Sequence, residues 1–221
     1  MKSRFLRGLL SLTLAITLLI GCSGASLQVS PTPTPNPSPT LAPTSTVTNP
    51  TPSALVDYVY YQIEGSTAGE LRAQMNQLGP ADRLGQHDAY TKWYVSWSYP
   101  YSIEGGECAT GPVEVEVEVT FTLPQWDPPA DASQELMGKW NAYMTALQTH
   151  EDGHKDIAIQ AGNEILQTLE ALLAYPTCSE LEKAADAAGE GVLDQYRQQE
   201  TIYDRTTDHG ATRNLRFPQL C

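Results

Sequence analysis

One apolar stripe constrains this chain more than any other feature. Leu136, Trp140, Met144, Leu147, Ala158, Ala161, Ile165, Leu169 and Leu172 recur at helical spacing, and between Leu147 and Ala158 the same face carries Glu151 and His154, with His150 beside it. The spacing predicts one long helix. Pro128-Pro129 stops the preceding segment, Asp131 or Ser133 supplies the N-cap, Gln134 is placed to close a capping box on Asp131, and Tyr175-Pro176 ends the run. The polar residues therefore interrupt the buried face of the helix and not its solvent face. An imidazole or carboxylate turned toward a core is costly without a partner, and a metal ion would be such a partner.

The interruption reads His150-Glu151-Asp152-Gly153-His154, an H-E-x-x-H pattern. Its spacing sets two imidazoles one helical turn apart as ligands for zinc, with Glu151 placed to take a proton from an activated water. Gly153 is either a tolerated helix glycine or room for a close neighbour. A catalytic zinc usually takes three protein ligands and keeps one position open. The continuation H-x-x-G-x-x-H is absent, because Ile157 and Gln160 stand where its glycine and histidine would be. The third ligand must come from farther along. His209 is the expected one, as the single histidine after the helix; Asp204, Asp208, Glu180 and Glu182 are the carboxylate alternatives, and His87 is the outsider. Tyr203 or Tyr196 is a candidate hydrogen-bond donor to the oxyanion of a tetrahedral intermediate.

The N-terminal part reads as export and attachment. Lys2, Arg4 and Arg7 precede the apolar run Leu9 to Ile20, and Leu19-Ile20-Gly21-Cys22 is similar to a bacterial lipobox, which implies a signal segment over residues 1–22 and lipidation of Cys22. Residues 23–54 hold eight prolines among Thr and Ser with no charge, the composition of a disordered or polyproline II linker. Residues 55–221 are left for one domain with its own core. Without Lys2, Arg4 and Arg7, 10 basic residues face 26 acidic ones, a formal charge of −16. Such a balance argues against nucleic acid as a partner. In an exported domain Cys108 and Cys178 are expected to form a disulfide, which leaves Cys221 odd.

Within the domain, Val56 to Ile63 and Thr91 to Tyr99 read as strands, the second with Trp93, Val95 and Trp97 on one face. Between them Ser66-Thr67 opens a short helix that Gly79-Pro80 closes. A turn-rich stretch runs from Gly105-Gly106 to Gly111-Pro112. Val113 to Leu123 alternates valine, phenylalanine and leucine with glutamate and threonine, and its three glutamates suit a protected edge strand. Residues 179–200 read as a helix weakened by Gly189 and Gly191, followed by a polar, turn-rich end from Tyr203 to Gly210. The expected class is α+β: a small antiparallel or mixed sheet, then the long H-E-x-x-H helix, then a C-terminal helix. Strands before such a helix is the order of zincin-like metallopeptidases, in which an edge strand holds extended substrate; Val113 to Leu123 or its neighbour is the candidate.

These residues together resemble the bacterial family of predicted secreted Zn-dependent proteases, a domain-of-unknown-function family. The resemblance spans most of residues 57–210. It is carried by Gly65-Ser66-Thr67 with Glu70-Leu71, Gly79-Pro80, Trp93, Trp97, Cys108, Leu123-Pro124 before Trp126, Trp140, the H-E-x-x-H pattern, Cys178, and Tyr203-Asp204 with Thr207 and His209-Gly210. It implies a zincin-like peptidase with His150 and His154 as ligands and Glu151 as base, and it favours His209 as third ligand. The function expected is therefore a zinc-dependent metallopeptidase, lipid-anchored at the bacterial cell envelope and acting on protein or peptide, cell-wall peptide included. The alternative is a non-catalytic envelope lipoprotein that holds a metal and binds a partner.

Overall fold

A computed structural model describes residues 51–82 and 85–207. The elements in order are β1 (Ser53–Ile63), α1 (Ala68–Leu78), β2 (Tyr90–Ser98), β3 (Tyr101–Glu104), β4 (Glu107–Thr110), β5 (Glu114–Trp126), α2 (Gln134–Glu170) and α3 (Cys178–Thr207). The fold is α+β: a small mixed sheet, a two-stranded ribbon and three helices. No helix among the described residues is long and apolar enough to cross a membrane. Cys22 and Cys221 lie outside the described residues.

Strand β5 alternates as the valine–glutamate pattern requires: Val115, Val117, Val119, Phe121 and Leu123 are buried, while Glu114 and Glu118 face water. It is not an edge. The sheet order is β1-β5-β2, with β1 parallel and β2 antiparallel to β5, so the glutamates line a solvent face and the edges are β1 and β2. Pro124 sits beyond Thr122, the last β5 residue paired with β2, where a missing N–H is tolerated. β1 begins at Ser53, within the stretch that composition reads as linker.

The glycine-rich stretch contains a hairpin that its composition did not reveal. β3 and β4 pair Glu104 with Glu107 across Gly105-Gly106, both at positive φ (63° and 90°), as a two-residue primed turn demands. The Cys108–Cys178 disulfide forms as expected, with Cα atoms 5.1 Å apart. Beside it Cys108 and Tyr175 exchange backbone hydrogen bonds of 2.7 and 2.8 Å. That contact explains why α2 stops at Glu170, before Tyr175-Pro176: residues 171–175 must leave the helix to reach β4.

Helix α1 opens with the capping box, Thr67 Oγ1 accepting from Glu70 N and Glu70 accepting from Thr67 N. Helix α2 takes Ser133, not Asp131, as its N-cap. Its first half covers one core cluster that includes Phe121, Trp126, Trp140 and Leu147. Its second half covers another, with Val115, Ile165, Leu169 and, from α3, Ala185 and Leu193. α3 does not end near residue 200. It continues through Thr207, because Tyr196, Glu200, Tyr203, Asp204 and Thr207 carry its inward face onward at helical spacing.

Candidate metal centre

The three polar residues of the α2 stripe lie near the seam between the two core clusters. His150, Glu151 and His154 are only 4%, 4% and 6% exposed. Groups of this kind need partners when buried, and the last two turns of α3 supply them for the two histidines. His150 Nε2 lies 3.3 Å from His154 Nε2; Asp204 Oδ1 stands 3.4 Å from the first and 2.9 Å from the second. These three atoms form a cluster able to hold one metal ion.

Both imidazoles turn Nε2 inward and Nδ1 outward, and each Nδ1 meets an oxygen of α3. Thr207 Oγ1 donates to the Tyr203 carbonyl at 2.8 Å and lies 3.5 Å from His150 Nδ1, where its oxygen faces the ring nitrogen. Glu200 Oε1 lies 3.4 Å from His154 Nδ1, a long contact that leaves this buried N–H short of a full hydrogen bond. The Trp93 indole N–H donates to the same Glu200 oxygen at 2.9 Å and anchors it to β2. An outer shell of this kind sets the tautomer and orientation of metal-binding histidines.

Glu151 is held from the sheet. Thr91 Oγ1 donates to Glu151 Oε2 at 2.6 Å. Burial pushes the Glu151 carboxyl above the ordinary range, against the opposing pull of the Thr91 hydrogen bond and of both histidines; Asp204 adds to the rise. Burial opposes protonation of His154, but the Asp204 carboxylate at Nε2 and the Glu200 carboxylate near Nδ1 outweigh it and raise its pKa to about 9.

Gly153 exists for α3. A Cβ there would stand 2.1 Å from the Tyr203 hydroxyl oxygen, so the close neighbour is a tyrosine of the second helix. The Tyr203 ring stacks on His150 with centroids 5.1 Å apart and meets His154 edge-on at 5.0 Å. Its hydroxyl donates to the His150 carbonyl at 3.0 Å, which commits it to the α2 backbone.

The cluster opens into a cleft of ≈ 860 Å³ that extends past Leu147 and Tyr143 to Arg72 and Asp88. Of the carboxylates considered from sequence, only Asp204 reaches the histidines among the described residues. Glu180 sits in the first turn of α3, where it bonds Thr177, and Glu182 is exposed beside it. His87 pairs with Asp82 at 2.8 Å on the cleft wall. His209 and Asp208 lie outside the described residues. Sequence reasoning missed Thr91 and Glu200. Glu200 had a signal, its place four residues after Tyr196 on the helical face; Thr91 had none, since its partner is 60 residues away.

The family described as "Bacterial protein of unknown function (DUF922)" matches residues 58–210. No curated protein and no solved structure matches the chain.

Proposed function

The chain belongs to this bacterial family of unknown function, and from that premise we propose that it is a zincin-like, zinc-dependent metallopeptidase. The observation that carries the proposal is the triangle of His150 Nε2, His154 Nε2 and Asp204 Oδ1, with sides of 3.3, 3.4 and 2.9 Å, beside a buried Glu151 in an open cleft. Tetrahedral zinc with bonds of about 2.0–2.1 Å spaces its ligand atoms about 3.3 Å apart. Two imidazoles and one carboxylate are a catalytic zinc donor set, and the cleft leaves a fourth side open. Asp204 takes the third position in this reading, in place of His209.

Zinc, when bound, polarises the scissile carbonyl and acidifies a water. The chain's own residues do the rest. Glu151, fixed through one oxygen by Thr91, takes the proton of the attacking water and returns it to the leaving amine. Burial, which raises its proton affinity, suits the first half of that cycle. Glu200 and Thr207 hold the outward faces of the two histidines. The lipobox-like Cys22 and the Pro/Thr linker support attachment outside a bacterial membrane, the acidic balance argues against nucleic acid, and the substrate in this reading is protein or peptide, cell-wall peptide included.

Metal content by elemental mass spectrometry, beside hydrolysis of casein, tests the reading. Wild type should carry about one zinc per chain. His150→Ala and Asp204→Ala should lose it, and Glu151→Gln should keep zinc and lose hydrolysis. Zinc retained in Asp204→Ala but lost in His209→Ala would return the third position to His209. Hydrolysis unchanged in Glu151→Gln would remove Glu151 from the mechanism.

A further inference from the structure

We propose that Arg72 forms a carboxylate-binding subsite at the far end of the same cleft, so that the protein selects peptides with an acidic group three or four residues from the cleaved bond. The inference rests on the cleft being the peptide-binding one.

Arg72 projects from α1 and is held from one side. Nη1 donates to Asp88 Oδ1 at 2.6 Å and Oδ2 at 2.8 Å, and reaches Asn76 Oδ1 at 3.5 Å. Tyr143 donates to the same carboxylate, and Tyr61 donates to the Asp88 carbonyl at 2.6 Å. The guanidinium stands 5.9 Å from the Tyr143 ring centroid. Its hydrogen bonds to Asp88 and Asn76 leave from Nη1, and Nε is buried without a hydrogen-bond partner. The head group is thus fixed in orientation, its Nη2 donors are unspent, and the side chain lines the cleft. A planar fork with spare donors on one edge is suited to a carboxylate.

The charge pattern gives the subsite its selectivity. Among the described lining residues Arg72 and Arg205 are the only fixed cations, against Asp82, Asp88, Glu151, Glu200 and Asp204. Arg205 adjoins Asp204 at the metal end, and Arg72, paired on one side with Asp88, is the cation at the other, so a peptide carboxylate that passes the acidic residues between them finds its partner at Arg72. Tyr143 and Glu151 are eight residues apart on α2, an axial distance of about 12 Å. An extended peptide advances about 3.3 Å per residue, which places the favoured carboxylate three or four residues from the bond beside Glu151.

The probes are acetylated, C-amidated octapeptides of alternating Ala and Ser, with glutamate placed at each position in turn, and the same parent peptide with a free C-terminal carboxylate. They are titrated into the full-length Glu151→Gln protein supplied with zinc, followed by the Arg72 Nε–H resonance. Glutamate at one position should tighten binding at least tenfold and shift that resonance, and Arg72→Lys should lose most of the preference. A gain from the free terminus in place of an internal glutamate would identify the carboxylate as terminal and still support the subsite. No position-dependent preference, a preference that leaves the Arg72 resonance unmoved, or no binding by any peptide would overturn it. Zinc content and casein hydrolysis of wild type report separately: hydrolysis without carboxylate preference sinks the subsite alone, and preference without zinc or hydrolysis sinks the peptidase reading alone.

Discussion

Replacing Gly153 with alanine adds one methyl group to the middle of α2. At an open helical position that change is favourable by roughly 1 kcal/mol, because glycine carries an entropic cost in helices. Gly138, exposed on the same helix with nothing within 4 Å of where a Cβ would stand, is such a position. Gly153 is the opposite case. Its Cβ would meet the Tyr203 hydroxyl oxygen at 2.1 Å and Cζ at 2.4 Å. Ordinary contact needs about 3.5 Å, so the ring must retreat by about 1 Å or more. Retreat strains a hydrogen bond worth about 1 kcal/mol and forces repacking that costs about 1–3 kcal/mol. After the helical gain, Gly153→Ala should destabilise by about 1–3 kcal/mol. In urea, with an m-value of about 2 kcal/mol/M, the midpoint should fall by roughly 0.5–1.5 M, while Gly138→Ala should raise it by about half a molar. Asp204 adjoins Tyr203, so zinc affinity should fall in the first variant and hold in the second. A Gly153→Ala midpoint at or above wild type would refute the docking of α3 on this glycine.

Three further outcomes follow from the site. In the metal-free chain His154 has a pKa of about 9 against an ordinary 6.5, so its stabilisation is complete below pH 6.5 and is lost as pH climbs through 9. On the order of 3 kcal/mol is at stake, and the urea midpoint of chelator-treated protein should be higher at pH 6 than at pH 9.5; a flat profile contradicts the pairing with Asp204 and Glu200. Glu200→Gln should weaken zinc about 10- to 100-fold in competition with a chromogenic chelator, as expected for loss of an outer-shell carboxylate, and an unchanged affinity would exclude that role. The Cys108–Cys178 link spans 70 residues, and chain entropy assigns such a loop about 4 kcal/mol; the Cys108→Ala/Cys178→Ala double variant should lose most of that in denaturant titration.

What was readable in the sequence and what was not divide along a physical line. The H-E-x-x-H pair, the capping box at Thr67 and the alternation of β5 are consequences of local periodicity, and each appears where its spacing required. The place of β5 in the sheet is not local: three glutamates look the same on an edge and on the solvent face of a central strand, and only the pairing of β1 and β2 decides. The turn-rich reading of residues 203–210 failed, over its described part, for a related reason. Tyr-Asp-Arg-Thr-Thr has weak helix propensity, and packing against α2 overrides it. Yet the face Tyr196, Glu200, Tyr203, Asp204, Thr207 keeps helical spacing after the apolar residues of α3 give out. Its polarity hid it from a search for apolar stripes. A buried polar break in one helix is unstable alone, and it needs a polar break of complementary chemistry on whatever packs against it. His150 and His154 on α2 therefore call for acceptors on their neighbour, and the polar end of α3 is where those acceptors stand. Matching the break in one stripe to the break in another would have selected Asp204 and Glu200 before any coordinate was known.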